Sequence, residues 1–221
     1  MEMRICFISR ESVKNFRETY NGQQADLFVF GFNESETVSY DRELHRETTF
    51  FEEAVRLSKD SKACVVCGCM TDMRGIKRKS AVVADRGKLL GVSDMLYALD
   101  GENNSGGELR AYETSAGKIG LIIAEDFYFP EVARDLSRFG SEYIVCPFDK
   151  KTQNIHSVLL RAEAFFCGIP MFFCAKGYSM VADIHGELAF ASPQSPICAE
   201  IEYKKEYHRV ESRRCFCLPN G

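Results

Sequence analysis

Chemistry in this chain is expected where the stretch from Gly117 to Val132 turns from strand to helix. Leu121, Ile122 and Ile123 form the continuous apolar run of a strand covered on both faces. Pro130 stands where a first helical residue needs no N–H, and Glu131 adds a favourable charge beside it. Val132, Leu136 and Phe139 follow at helical spacing, and Gly140 supplies a left-handed stop. A strand that ends sharply at a helix start gathers backbone N–H groups able to hold a developing oxyanion. The residue at the turn is Ala124, which offers no nucleophile.

Thiols and imidazoles elsewhere are candidates of a second rank. Cys64-Val65-Val66-Cys67 has the C-x-x-C spacing of zinc and redox sites. On an extended strand, however, its two thiols point to opposite faces, and no second pair completes a metal site. Small buried hydrophobes are the better reading. Cys215-Phe216-Cys217 puts two thiols on one face if extended, as at a sheet edge. Cys146, at the end of the strand after the turn, is the alternative thiol for a relocated nucleophile. His45, His156, His185 and His208 sit in separate segments without metal-ligand spacing, so surface positions and no metal are expected. Arg74, Lys77, Arg78 and Lys79 form the densest positive cluster and read as a solvated loop.

The elements that must carry these residues alternate along the chain. Strands are expected over Met3 to Ile8, Asp26 to Phe30, Cys64 to Cys69, Tyr143 to Pro147, Met171 to Cys174 and from Cys198 to Tyr203. Helices are expected around Val13, Phe16 and Tyr20, from Asp41 through Ser58, after Pro130, and over Ile155 to Cys167. Two hairpins, Ser80 to Leu90 and Ser179 to Leu188, carry an Asp and a Gly at or near their turns. Strands and helices recurring in two similar halves predict two sheets packed face to face with helices outside. No linker divides the 221 residues, so one domain over 1–221 follows. The net charge of -4 with mixed signs gives no nucleic-acid footprint. No apolar run reaches spanning length and no leader precedes the first strand, so no membrane partner and a cytoplasmic protein are expected. In that setting the ten cysteines read as reduced thiols.

The strand–turn–helix run resembles the nucleophile elbow of the nitrilase, or carbon-nitrogen hydrolase, superfamily, in which the residue after the apolar run is a cysteine. Other segments fall in the family's order. Asp26-Leu27-Phe28-Val29-Phe30 resembles the strand before its catalytic glutamate, and Gly87-Lys88-Leu89-Leu90-Gly91 the segment before its catalytic lysine. Ser105 to Arg110 resembles the loop before the elbow, and Arg161-Ala162-Glu163-Ala164 the helix after it. The resemblance covers roughly the whole chain and implies the four-layer α-β-β-α sandwich of that family.

The resemblance also implies a site. The family's chemistry needs a thiolate to attack, a glutamate to move the proton and a lysine to stabilise the tetrahedral intermediate. Ala124 stands at the thiol position and Met95 at the lysine position. An ungapped reading puts Phe32 at the glutamate position; a two-residue insertion puts Glu34 there. Glu102 matches a further family glutamate, and Glu125 completes the vestigial set. A catalytically silent protein acting by binding, sensing or scaffolding is expected, with no cofactor, a small amide or carboxylate as its ligand, and a homodimer as its assembly. The alternative is an amide or nitrile hydrolase with a non-standard site. The cleft is expected to be plugged by Met95, Phe32 and Tyr178.

Overall fold

The structure, a computed structural model, describes residues 2–33, 37–99 and 106–202. Its first sheet has the order β13-β1-β2-β4-β5-β6, with β3 beside β4, and its second the order β12-β11-β10-β9-β8-β7. The first sheet contains β1 (Glu2–Ile8), β2 (Leu27–Phe32), β3 (Val38–Ser39), β4 (Cys64–Met73), β5 (Ile76–Asp85), β6 (Lys88–Asp94) and β13 (Ile197–Glu202). The second contains β7 (Ala111–Thr114), β8 (Gly117–Leu121), β9 (Tyr143–Pro147), β10 (Met171–Ala175), β11 (Tyr178–Ala182) and β12 (Leu188–Ser192). The two halves share a plan. β1, β2 and β4 run parallel and continue antiparallel into β5 and β6. Likewise β8, β9 and β10 run parallel and continue antiparallel into β11 and β12.

Alternation along the strands builds the layers. Ile5, Leu27, Val29, Cys64, Val66, Tyr143, Val145 and Phe172 meet between the sheets. Their neighbours Cys6, Phe28, Phe30, Val65 and Cys67 face outward beneath α1 (Val13–Thr19) and α3 (Phe50–Ser61). Ile144, Cys146, Met171 and Phe173 face α4 (Pro130–Arg138) and α5 (Asn154–Cys167) on the other side. The result is the expected α-β-β-α sandwich.

Several expectations need correction. The charged helix from Asp41 is two helices, α2 (Tyr40–Leu44) and α3. Arg46 turns left-handed between them, and the Glu43 carboxylate accepts the N–H groups of Phe50 and Phe51, starting α3 afresh. The basic cluster is no loop. Arg74 and Gly75 form the turn of the β4–β5 hairpin, while Lys77, Arg78 and Lys79 lie on β5. The expectation of reduced thiols fails at one pair. Cys6 and Cys198 are register partners on antiparallel β1 and β13 and are joined as a disulfide. They are 192 residues apart in sequence, so only the sheet brings them together. Cys64 and Cys67 occupy opposite faces of β4 as expected. Cys215, Cys217 and His208 lie outside the described residues.

No helix among the described residues is long and apolar enough to cross a membrane.

Candidate functional site

Parallel strands open a crevice at their carboxyl ends, and there the chain leaves β8. Ile122 still donates its N–H to Val145, at 3.1 Å, and then the backbone turns. Ala124 takes φ +48°, a left-handed conformation in which a Cβ crowds the following carbonyl at a cost of about 1–2 kcal/mol. A short 3-10 helix, Ala124–Tyr128, intervenes before Pro130 opens α4. The expected elbow is therefore present, with one extra turn in it. Nothing in its local pattern marked that turn, because 3-10 pieces carry no apolar period of their own.

Asp126 holds the elbow to the segment that follows β6, an edge strand of the opposite sheet. Its buried carboxylate accepts the backbone N–H of Leu96 at 3.0 and 2.9 Å and that of Tyr97 at 2.9 Å. Tyr97 also stacks on Phe129, with ring centroids 4.1 Å apart. Burial pushes the Asp126 carboxyl up to about 6 against the opposing pull of those N–H groups. This grip positions the preceding residue, Met95. Met95 is fully buried in the inter-sheet cluster that also holds Ala124. Phe32 packs against the same cluster and covers Gly68, where a Cβ would come within 2.5 Å of its ring. Tyr178 does not join them; it packs against the cluster beneath α4 and α5.

Beside this apolar part lies a cluster of charges that the sequence pattern did not disclose. Lys79, 4% exposed, sends its Nζ to both oxygens of Glu125, at 2.6 and 2.7 Å, and to Asp149 Oδ2 at 2.8 Å. Lys150 Nζ reaches Glu125 Oε1 at 2.7 Å from a half-exposed side chain. Burial opposes the Lys79 charge, yet the carboxylates of Asp149 and Glu125 outweigh it and raise its pKa. Burial likewise opposes the Glu125 charge, and Lys150 and Lys79 outweigh it and lower its pKa. Each ion is thus held charged by its partners. Lys79 had a readable signal: it shares the alternation of Ala81 and Val83, whose side chains enter the inter-sheet core.

Cys146 lies elsewhere. Tyr143 and Val145 of β9 face the cluster containing Ala124, whereas Cys146 faces the helices. Burial, then the Glu163 charge, push its thiol far up, which keeps it protonated and unreactive. His156 is not at the surface but buried in α5. Gln153 donates its N–H to His156 Nδ1 at 2.8 Å. The ring hydrogen is therefore on Nε2, which donates to Tyr128 Oη at 2.8 Å. Of the other expected site residues, Glu34 and Glu102 lie outside the described residues. Among the described residues no group of three metal-ligating side chains forms.

Residues 20–205 match the family described as carbon-nitrogen hydrolase. The chain belongs to that family. The carbon-nitrogen hydrolase fold is shared with solved structures at low identity. Saccharomyces cerevisiae Nit3, a member of branch 10 of the nitrilase superfamily, superposes with a TM-score of 0.75 at 16% identity, covering 99% of this chain and 95% of that one. A Helicobacter pylori carbon-nitrogen hydrolase gives 0.73 at 16% identity over 100% of this chain and 96% of that one. A cysteine-to-alanine mutant of the Nesterenkonia AN1 amidase gives 0.76 at 16% identity, covering 99% and 96%. In sequence, the chain is 26% identical over 184 residues to a Schizosaccharomyces pombe hydrolase, matching 75% of this chain. It spans 57% of that relative's length.

Proposed function

We propose that this carbon-nitrogen hydrolase family member is catalytically silent and acts by binding a small ligand, an amide or a carboxylate, as a sensing or scaffold subunit. The observation that carries the reading is the elbow. A strained, left-handed backbone turn is kept at Ala124, yet the side chain it presents has no atom able to attack. Met95 beside it is buried in apolar surroundings and brings no charge. A binding role is supported by a Nesterenkonia AN1 amidase whose cysteine-to-alanine mutant was solved in complex with butyramide. The expected result is no ammonia release above the protein-free blank from aliphatic amides and nitriles. Turnover abolished by Glu34→Ala would sink the proposal and favour the non-standard hydrolase. For that alternative Lys79 supplies a cation and Glu125 a carboxylate, but Cys146, on the other face of its sheet, supplies no thiol.

The working unit in this reading is a cytoplasmic homodimer. Ile155, Val158 and Phe166 form an exposed apolar stripe along α5, and Phe139 is exposed at the end of α4. Light scattering on the purified chain should give the mass of two copies. Val158→Asp, which puts a charge in that stripe, should shift the mass toward one copy while leaving the melting temperature within a few degrees.

A further inference from the structure

The break that divides α2 from α3 leaves a gap over the outer face of the first sheet. A cavity of about 400 Å³ opens there between α2, α3 and β6, within the size range of small-ligand pockets. Tyr40, Leu44, Phe51, Leu89 and Val92 supply its apolar lining. Leu44 is 80% exposed and Leu89 43%, so no described element covers either of them. Phe51 and Val92 pack on the outward cluster beneath α1 and α3, whereas Ala124 and Met95 lie between the sheets. The first sheet therefore separates this cavity from the elbow.

The polar groups on the lining select the ligand. Both oxygens of Glu43 accept N–H groups, those of Phe50 and Phe51, and Glu52 pairs with Arg56. Arg46, in the connection between α2 and α3, lines the same cavity, and its guanidinium makes no hydrogen bond or ion pair among the described residues. Thr48, another lining residue, has a buried hydroxyl with no hydrogen-bond partner. Both groups donate, so the matching head group is an acceptor, and the planar fork of a guanidinium fits a carboxylate. A cationic head would meet Arg46 with like charge. We infer that this cavity binds an aliphatic monocarboxylate of medium chain length, its tail against Leu44, Phe51, Leu89 and Val92 and its carboxylate on Arg46 and Thr48. The site lies outside the vestigial set and goes beyond the role proposed for the elbow.

The test is a calorimetric or NMR titration of the full chain with octanoate, octan-1-ol, octylammonium and acetate. Octanoate should bind about a hundredfold more tightly than acetate, because only the longer acid buries a tail. It should bind about fivefold more tightly than octan-1-ol, the scale of an exposed ion pair, and octylammonium should be the weakest of the three eight-carbon probes. Arg46→Gln should weaken octanoate about fivefold and leave octan-1-ol unchanged. Leu44→Asp, at an exposed position, should weaken octanoate about tenfold with the melting temperature of the wild type. Undetectable octanoate binding overturns the inference, as does octylammonium binding as tightly as octanoate. Octanoate affinity unchanged in either variant also overturns it, and affinity unchanged in both would place the acid elsewhere and leave the role proposed for the elbow standing.

Discussion

Lys79→Met should destabilise the fold by about 3–5 kcal/mol, because it strips the buried Glu125 and the partly buried Asp149 of their shared cation. The side chain is 4% exposed and donates to Glu125 and Asp149 at 2.6–2.8 Å. Without it, Glu125 keeps, among the described residues, the cation of Lys150, whose side chain is 57% exposed and screened by water. Chemical denaturation at pH 7 reads the effect as a fall in midpoint at constant slope. Adding Glu125→Gln to Lys79→Met should recover part of the loss, since it removes one stranded charge. If the single variant melts like the wild type, the cluster is not the buried, paired arrangement described here. The same pairing sets a pH window. Lys79 has a folded pKa above its unfolded value, so its contribution is complete below that unfolded value and is lost as alkali passes the folded one. Glu125 has a folded pKa below its unfolded value, so its contribution is complete above that value and is lost as acid passes the folded one.

The contrast between Lys79 and Ala124 shows what a sequence can disclose. The elbow was legible because its signals are local: an apolar run, a proline six residues past the turn at Ala124, and a glycine stop that takes φ +79° at Gly140. The sandwich was legible because strands covered on both faces read as unbroken apolar runs, and the order of elements repeats between halves. Lys79 was obscured by its neighbours. Arg74, Lys77 and Arg78 made it look like one more charge in a solvated loop, although the strand's alternation turns it inward. Its partners Glu125 and Asp149 come from two other segments, the elbow and the residues after β9, so no spacing rule connects them. The disulfide between Cys6 and Cys198 was hidden for the same reason, its register depending on a strand pairing 192 residues apart. The local elements were legible, and what tertiary pairing creates was missed. His156 sits between these cases. Its helix was expected, but not that its ring packs with Phe148 and Phe173 and turns a hydrogen toward Tyr128.

Glu163 gives the second large effect, and it grows with pH. The residue lies on the inner face of α5, 5% exposed, with Oε2 buried and unpartnered. Burial, then the charge of Glu131, push its carboxyl up to about 8. The sign follows from linkage. The unfolded chain ionises this group near pH 4.3, while the folded chain holds its proton to about 8. Between those values the unfolded state binds fewer protons, so rising pH erodes stability at about 1.4 kcal/mol per pH unit. The contribution is fully present below pH 4.3 and gone above 8, a swing on the order of 4–5 kcal/mol. Glu163→Met keeps the side-chain volume, removes the unpartnered oxygen and removes the titration. Its gain over the wild type should be small at pH 4.5 and about 4 kcal/mol at pH 9, measured by denaturant unfolding at both values. A gain that does not change with pH would mean that Glu163 is already ionised in the fold. The variant also bears on Cys146 and Cys167, whose thiols are raised first by burial and then by the Glu163 charge. Removing that charge leaves burial in place, so Cys146 should stay unreactive toward iodoacetamide in native Glu163→Met, as a thiol sealed on the helix side of its sheet must.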